Sequence, residues 1–157
     1  MPTTDADIAA RTKRIIASFQ GVEAPLLEML HAVQAEFGHV PGESQRLLAD
    51  ALNLSRAEIH GVTSFYHDFR ESPAGRHVLK ICRAEACQSM GGEAGAQRIS
   101  DLLGIKFGET TKDGAVTLEA VYCLGMCATA PAAMLDGRPV GRVTGKRLES
   151  LVAEATR

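Results

Sequence analysis

Residues 116–135 read VTLEAVYCLGMCATAPAAML. Val116, Leu118, Ala120 and Tyr122 alternate with their neighbours, which is the pattern of a strand. Cys123 follows at once, then Leu124, Gly125 and Met126, a second cysteine at 127, and Pro131. The chain therefore leaves a strand and curls, with two thiols at the curl. The sixteen residues between Glu119 and Asp136 carry no charge, yet a membrane-spanning helix needs about 20 apolar residues. The run reads as strand, turn and strand.

An earlier stretch has the same layout. His77–Ile81 (HVLKI) reads as a strand, Cys82 follows, and Cys87 comes after four residues. The cysteine pattern is C-x4-C, an interval of 35 residues, then C-x3-C. If the two strands are parallel neighbours in one sheet, both pairs leave it at the same end and four thiols converge.

Four convergent thiolates suit two metal groups. A [2Fe–2S] cluster takes four ligands, two per iron. A structural zinc ion takes four thiolates tetrahedrally, usually from tighter pairs. A C-x-x-C redox dithiol is absent, and no His lies within three residues of any Cys, as a Rieske centre would require. Gly125 can adopt φ > 0 and turn backbone N–H groups toward sulfur. The uncharged residues around it would limit water at a redox centre. Zinc stays open at this point, as does a plain buried strand and turn.

Outward from the cysteines, the second half of the chain reads as α/β. Gly91-Gly92 precede a helix with Ala96, Ile99, Leu102 and Leu103 inward. Ala132–Leu135, Asp136-Gly137 and Pro139–Val143 read as a hairpin. Thr144 is placed to cap a last helix with Leu148, Leu151, Val152 and Ala155 inward. The first half reads as a small helical bundle. Thr4 caps its first helix. Pro25 opens a second, with Leu26, Leu27, Leu30 and Val33 on the apolar side and Met29 on the flank. Leu47, Leu48, Ala51 and Leu52 mark a third. Ser55 and Glu58 form a capping box before Ile59, Val62, Phe65 and Tyr66. Glu71–Arg76 (ESPAGR) reads as the linker, giving domains 1–73 and 74–157. The first holds six Lys/Arg against ten Asp/Glu, the second eleven against nine.

Composition excludes several classes. The chain of 157 residues is 45% hydrophobic and 23% charged with a net charge of −2, values of a folded protein without a broad basic footprint. Aromatics are 4% and Trp is absent, which argues against stacked-ring recognition of single-stranded nucleic acid. The N-terminal MPTTDADIAARTKR has no apolar signal core, so a cytoplasmic location is expected. In that reducing compartment, cysteines at motif spacing read as metal-binding or catalytic rather than disulfide-forming. No G-x-G-x-x-G or Walker motif is present, and Ser64 forms no evident triad with the five His.

C-R-A-E-A-C-Q-S-M-G at 82–91 and Y-C-L-G-M-C-A-T-A-P at 122–131 resemble the thioredoxin-like [2Fe–2S] ferredoxin family, that of the 24 kDa subunit of respiratory complex I. A-L-N-L-S-R-A-E-I-H-G-V-T-S-F-Y at 51–66 and F-G-H-V-P at 37–41 look like that family's N-terminal signature. H-D-F-R at 67–70 and R-A-E-A at 83–86 resemble the gamma subunit of NAD-dependent formate dehydrogenase.

The resemblance implies an N-terminal helical bundle followed by a thioredoxin-like α/β domain holding one [2Fe–2S] cluster. It implies Cys82, Cys87, Cys123 and Cys127 as ligands, the first two on one iron and the last two on the other, with no catalytic residue in this chain. It also implies an electron-transfer role in an oxidoreductase complex, beside an FMN- and NAD-binding subunit and a molybdenum-containing catalytic subunit. The equivalent subunit of complex I or of an NAD-reducing hydrogenase is the alternative within the family, and a zinc-stabilised interaction module the alternative outside it. His31 and His60 are expected to pack or cap. His67 and Arg70 stand at a helix end that could dock. Arg83 could place a cation beside an anionic cluster. Pro131 is expected to fix the loop leaving it.

Overall fold

The computed structural model describes residues 4–156, and the chain divides into two compact units between Pro73 and Ala74. Each unit has its own apolar core.

The first unit is four helices: α1 (Asp5–Ser18), α2 (Leu26–Phe37), α3 (Gly42–Leu52) and α4 (Arg56–Phe65). Their ends follow local chemistry. Thr4 Oγ1 accepts the Asp7 N–H at 3.3 Å, and Ser55 and Glu58 close a full capping box on α4. Gly38 and Asn53 end α2 and α3 in the left-handed region. Met29, Leu30, Val33, Val40, Leu48, Ala49, Ile59 and Phe69 form the core. A buried hydroxyl pair, Thr12 and Ser44 at 2.8 Å, joins α1 to α3.

Three apolar stripes are rotated from the sequence reading. Met29 is buried and Leu27 exposed, because the stripe of α2 centres on Leu30 and Val33. Ala49 is buried in place of Ala51. Phe65 and Tyr66 face outward at the end of α4, and Phe69 beyond it supplies the core ring.

The second unit runs β1 (His77–Cys82), α5 (Glu85–Ser89), α6 (Gly92–Leu103), β2 (Val116–Val121), a 3-10 turn (Cys127–Thr129), β3 (Ala132–Leu135), β4 (Arg138–Gly141) and α7 (Gly145–Ala155). The sheet order is β2-β1-β3-β4. β1 and β2 are parallel, with Cys82 opposite Val121, and the other pairings are antiparallel. Parallel neighbours need a long crossover, supplied here by the segment holding α5 and α6. Leu79, Ile81, Leu118, Ala133 and Leu135 pack with Ile99 of α6 and Leu148, Leu151 and Val152 of α7. Each large side chain so buried stabilises the fold by about 1.5–3 kcal/mol. Arg138 ties β4 to α7 through Glu154 at 2.6 Å, and Arg98 ties α6 to α7 through Glu149.

Here too details depart from the sequence pattern. Leu102 and Tyr122 are exposed, Tyr122 because β2 has already ended at Val121. Thr144 sits at the start of α7 without a side-chain cap bond. Helix α5 is five residues long, too short for periodicity to reveal.

Candidate metal centre

The pairing of β1 with β2 brings the cysteines together. Because Cys82 lies opposite Val121, both strands deliver the chain to the same end of the sheet. The Arg83 N–H continues the ladder to the Val121 carbonyl at 2.8 Å. From there Ala84 opens α5, whose third residue is Cys87, and both Cys82 and Cys87 are buried. On the other side the chain turns sharply. Cys123 has φ +96° and Gly125 φ +74°. A non-glycine residue in that region costs about 1–3 kcal/mol and persists only where its surroundings fix it. Cys127 then opens the 3-10 turn, and Cys123 and Cys127 are both exposed.

The sulfurs form two pairs. Cys123 Sγ and Cys127 Sγ are 3.7 Å apart, and Cys82 and Cys87 are close enough to shift each other's ionisation. The pairs are knitted to each other by backbone. The N–H groups of Ala84, Cys123 and Leu124 favour the charged form of Cys82, and that of Ala132 favours the charged form of Cys87. Gly125 N–H donates to Cys123 Sγ at 3.4 Å. Ala84, Val121, Leu124, Met126, Ala130 and Ala132 make the apolar wall.

The thiols control one another's ionisation. Burial pushes Cys82 up, but the N–H groups of Ala84, Cys123 and Leu124 and the Cys87 thiol outweigh it and hold the group below the ordinary thiol range. Burial and then the neighbouring Cys82 hold Cys87 above that range. Cys127 is raised by Cys123 first. Thiols so coupled, with Cys82 lowered while Cys87 and Cys127 are raised by their neighbours, fit a polyvalent cationic core that takes all four as thiolates. Among the described residues no three His, Cys, Asp or Glu gather to hold a single ion. Two thiol pairs are what a binuclear core with two ligands per metal requires.

The other singled-out residues have partners elsewhere. His31 lies with its ring centroid 4.9 Å from Phe69, and His60 Nδ1 is 2.9 Å from Glu71. His67 is exposed. Arg70 N–H donates to Gln34 Oε1, and its carbonyl accepts from Val40 N–H. Arg83 is paired with Glu93 at 2.6 Å and lies over Phe107 at 5.0 Å, so its charge is neutralised locally. Pro131 immediately precedes β3, and its carbonyl accepts the Val143 N–H at 2.9 Å. The N–H groups of Leu124 and Ala132 were not foreseeable from sequence, since backbone donors carry no side-chain signal.

Comparison with known proteins identifies the family. The family model for thioredoxin-like [2Fe-2S] ferredoxin matches residues 12–156. The NADP-reducing hydrogenase subunit HndA of Solidesulfovibrio fructosivorans is 32% identical over 141 residues, covering 90% of this chain and 82% of that protein. An NADH-quinone oxidoreductase subunit of Pseudomonas aeruginosa is 33% identical over 158 residues, covering 95% of each. The corresponding subunit of Mycobacterium tuberculosis is 36% identical over 135 residues, but this chain spans only 54% of its length. A crystal structure of NAD+-reducing [NiFe]-hydrogenase in the H2-reduced state superimposes with a TM-score of 0.71 at 26% identity. The match covers 83% of this chain and 22% of that one.

Proposed function

The chain belongs to the thioredoxin-like [2Fe–2S] ferredoxin family, whose members carry one such cluster, and we propose that Cys82, Cys87, Cys123 and Cys127 hold it here. On this reading the chain is an electron-transfer subunit of an NAD(P)-linked oxidoreductase complex. Cys82 and Cys87 serve one iron and Cys123 and Cys127 the other. The in-register parallel pairing of β1 with β2 carries the proposal, because it brings segments 35 residues apart to one end of the sheet, and the antiparallel pairing of Ile81 with Ala133 holds the second segment there.

When bound, the cluster takes up and releases one electron at a time. The protein's part is to place that event. The Gly125 N–H donates to Cys123 Sγ, and the N–H groups of Ala84, Cys123, Leu124 and Ala132 stabilise negative charge on Cys82 and Cys87. The apolar wall limits water on the buried side, while Cys123 and Cys127 face outward, where a partner can approach.

The relatives support a place beside a flavin- and NAD-binding subunit, in a complex of the hydrogenase or NADH-quinone oxidoreductase kind. The formate dehydrogenase assignment, with its molybdenum subunit, rests on H-D-F-R at 67–70 and R-A-E-A at 83–86 alone. Among the described residues no helix is long and apolar enough to cross a membrane, and reduced thiols suit a cytoplasmic setting. We assign residues 74–157 as the cluster domain and 1–73 as a helical companion domain.

The test is direct. Purified chain should be brown, bleach with dithionite, and hold about two iron and two labile sulfide. Bound zinc without labile sulfide would overturn the reading. Affinity purification from the native cell should recover a flavin-binding subunit. The dehydrogenase or hydrogenase subunit found with it decides the complex.

A further inference from the structure

Of the fifteen glycines, only Gly75, Gly92 and Gly141 have other chain atoms where a Cβ would stand. Neither Gly92 nor Gly141 has a positive φ, so backbone conformation does not require glycine at either place. Both lie flush against cysteine-bearing segments.

A Cβ at Gly92 would fall 2.5 Å from the Cys87 carbonyl oxygen and 2.9 Å from its carbonyl carbon. Gly92 is the first residue of α6, which doubles back on α5 through Gly91 at φ +82°. The obstacle is backbone, so no side-chain rotation relieves it. Ordinary contact begins near 3.4 Å, so Cys87 would have to retreat by about 0.9 Å. That exceeds the roughly 0.5 Å within which a metal-binding constellation must be held.

Gly141 is the last residue of β4, paired with Ala132. A Cβ there would meet the Thr129 hydroxyl, and would lie 2.7 Å from Thr129 Cβ and 3.0 Å from its carbonyl oxygen. Thr129 closes the 3-10 turn that Cys127 opens. The turn cannot retreat freely. Arg142 N–H donates to the Thr129 carbonyl at 2.7 Å, and Val143 N–H to the Pro131 carbonyl at 2.9 Å.

We propose that Gly92 and Gly141 are positioning residues for the cluster: each sets the height of one ligand segment, Gly92 under Cys87 and Gly141 under the turn of Cys127. Together they fix the separation of the two thiol pairs. The inference rests on the four-cysteine reading above.

The experiment uses the full chain with its cluster and compares wild type, G92A, G141A and the double variant G141A/T129G. Iron release to a chelator and the EPR g values of the reduced cluster are read. The thermal unfolding of each apo-protein serves as the control for folding. Overpacking typically costs 1–3 kcal/mol, so both single variants should release iron about tenfold faster or more, with shifted g values. Removing the Thr129 side chain relieves the two tightest of the three contacts and should return G141A most of the way to wild-type release and g values, the backbone carbonyl contact at 3.0 Å remaining. Wild-type release and g values in the single variants overturn the proposal, as does a G141A defect that T129G leaves in place. If G92A does not fold, G141A and its rescue decide the matter. A wild-type chain without iron and sulfide overturns the cluster reading itself, a result distinct from any of these.

Discussion

Cys123 Sγ and Cys127 Sγ stand 3.7 Å apart on the exposed side of the site, in thiol–thiol contact without a disulfide. A disulfide needs about 2.05 Å, whereas two thiolates on one tetrahedral metal lie about 3.8 Å apart. The pair has metal-ligand spacing, held by a strained turn at Cys123 and by the Gly125 N–H.

Each cysteine is therefore expected to be required for the cluster, but the four differ in what else they do. C123A and C127A should lose iron and sulfide while the apo-protein melts within about 0.5 kcal/mol of wild type, since both side chains are exposed. C82A and C87A should lose the cluster and also about 1 kcal/mol of apo stability through lost packing. Iron analysis and denaturant unfolding of the four variants check this. An intact cluster in any of them removes that residue from the ligand set.

Asp136 links the β3–β4 turn to the start of β1. Its Oδ1 accepts the Val78 N–H at 2.8 Å, and its Oδ2 lies 2.7 Å from His77 Nδ1. Burial pushes the carboxyl up, but the bonds from His77 and Val78, with Arg138 nearby, outweigh it and leave the group below the usual carboxylate range. A depressed folded value contributes stability above the unfolded value of about 3.9, and that stability is lost as pH falls through the folded value. D136N should thus be less stable than wild type at pH 7 by only about 1 kcal/mol, because the pair is half-exposed and water screens it. The gap should close below about pH 4. Urea titrations across that range measure it, and a gap independent of pH contradicts the assignment.

The aromatic residues at and beyond the end of α4 divide sharply. Phe69 is buried between His31 and Tyr66, with ring centroids 4.9 and 6.2 Å away, while Phe65 is 72% exposed. F69A should cost about 3 kcal/mol, and F65A no more than about 0.5 kcal/mol. Equal losses in thermal unfolding would show that the stripe of α4 continues inward through Phe65 after all.

Arg83 bears on the electron-transfer centre through charge. Glu93 neutralises it at 2.6 Å, so R83Q/E93Q should keep the wild-type reduction potential. E93Q alone uncovers a cation near an anionic centre and should raise the potential, because the added electron is then favoured. R83A should cost about 1 kcal/mol of stability through the lost ring contact and ion pair. A potentiometric titration separates the variants. No difference between E93Q and the double variant would rule out electrostatic influence from this position.

What the sequence revealed depended on the range of each signal. The two cysteine pairs, the strands before them and the capping box at Ser55 are local patterns, and all are present. That β1 and β2 are parallel neighbours is a pairing between distant segments, so from sequence it stands only as a condition. Stripe positions slipped where adjacent apolar residues, such as Leu26 and Leu27, lie about 100° apart on the helix and the core selects one. Tyr122 continues the alternation of β2 in sequence but stands past the strand's end. The closeness of Gly92 to Cys87 and of Gly141 to Thr129 belongs to tertiary packing, which leaves no mark on a single sequence beyond the glycine itself.

The register of β1 against β2 also bears on how this lineage can change length. The 35 residues between Cys87 and Cys123 form a detour that starts and finishes at neighbouring strand ends. Lengthening such a detour is cheap, about 0.6 kcal/mol for each doubling of a flexible loop, and it moves neither end. An insertion inside 82–87 or 123–127 instead rotates a sulfur away from its partner. Insertions and deletions among descendants of this sequence are thus expected to collect at the exposed turn of Lys112 and Asp113, beyond the backbone bonds that join Gly108, Glu109 and Thr111 to β2, and to spare the two short cysteine intervals. The outer contour of the cluster domain is free to diversify while its redox centre is inherited unchanged.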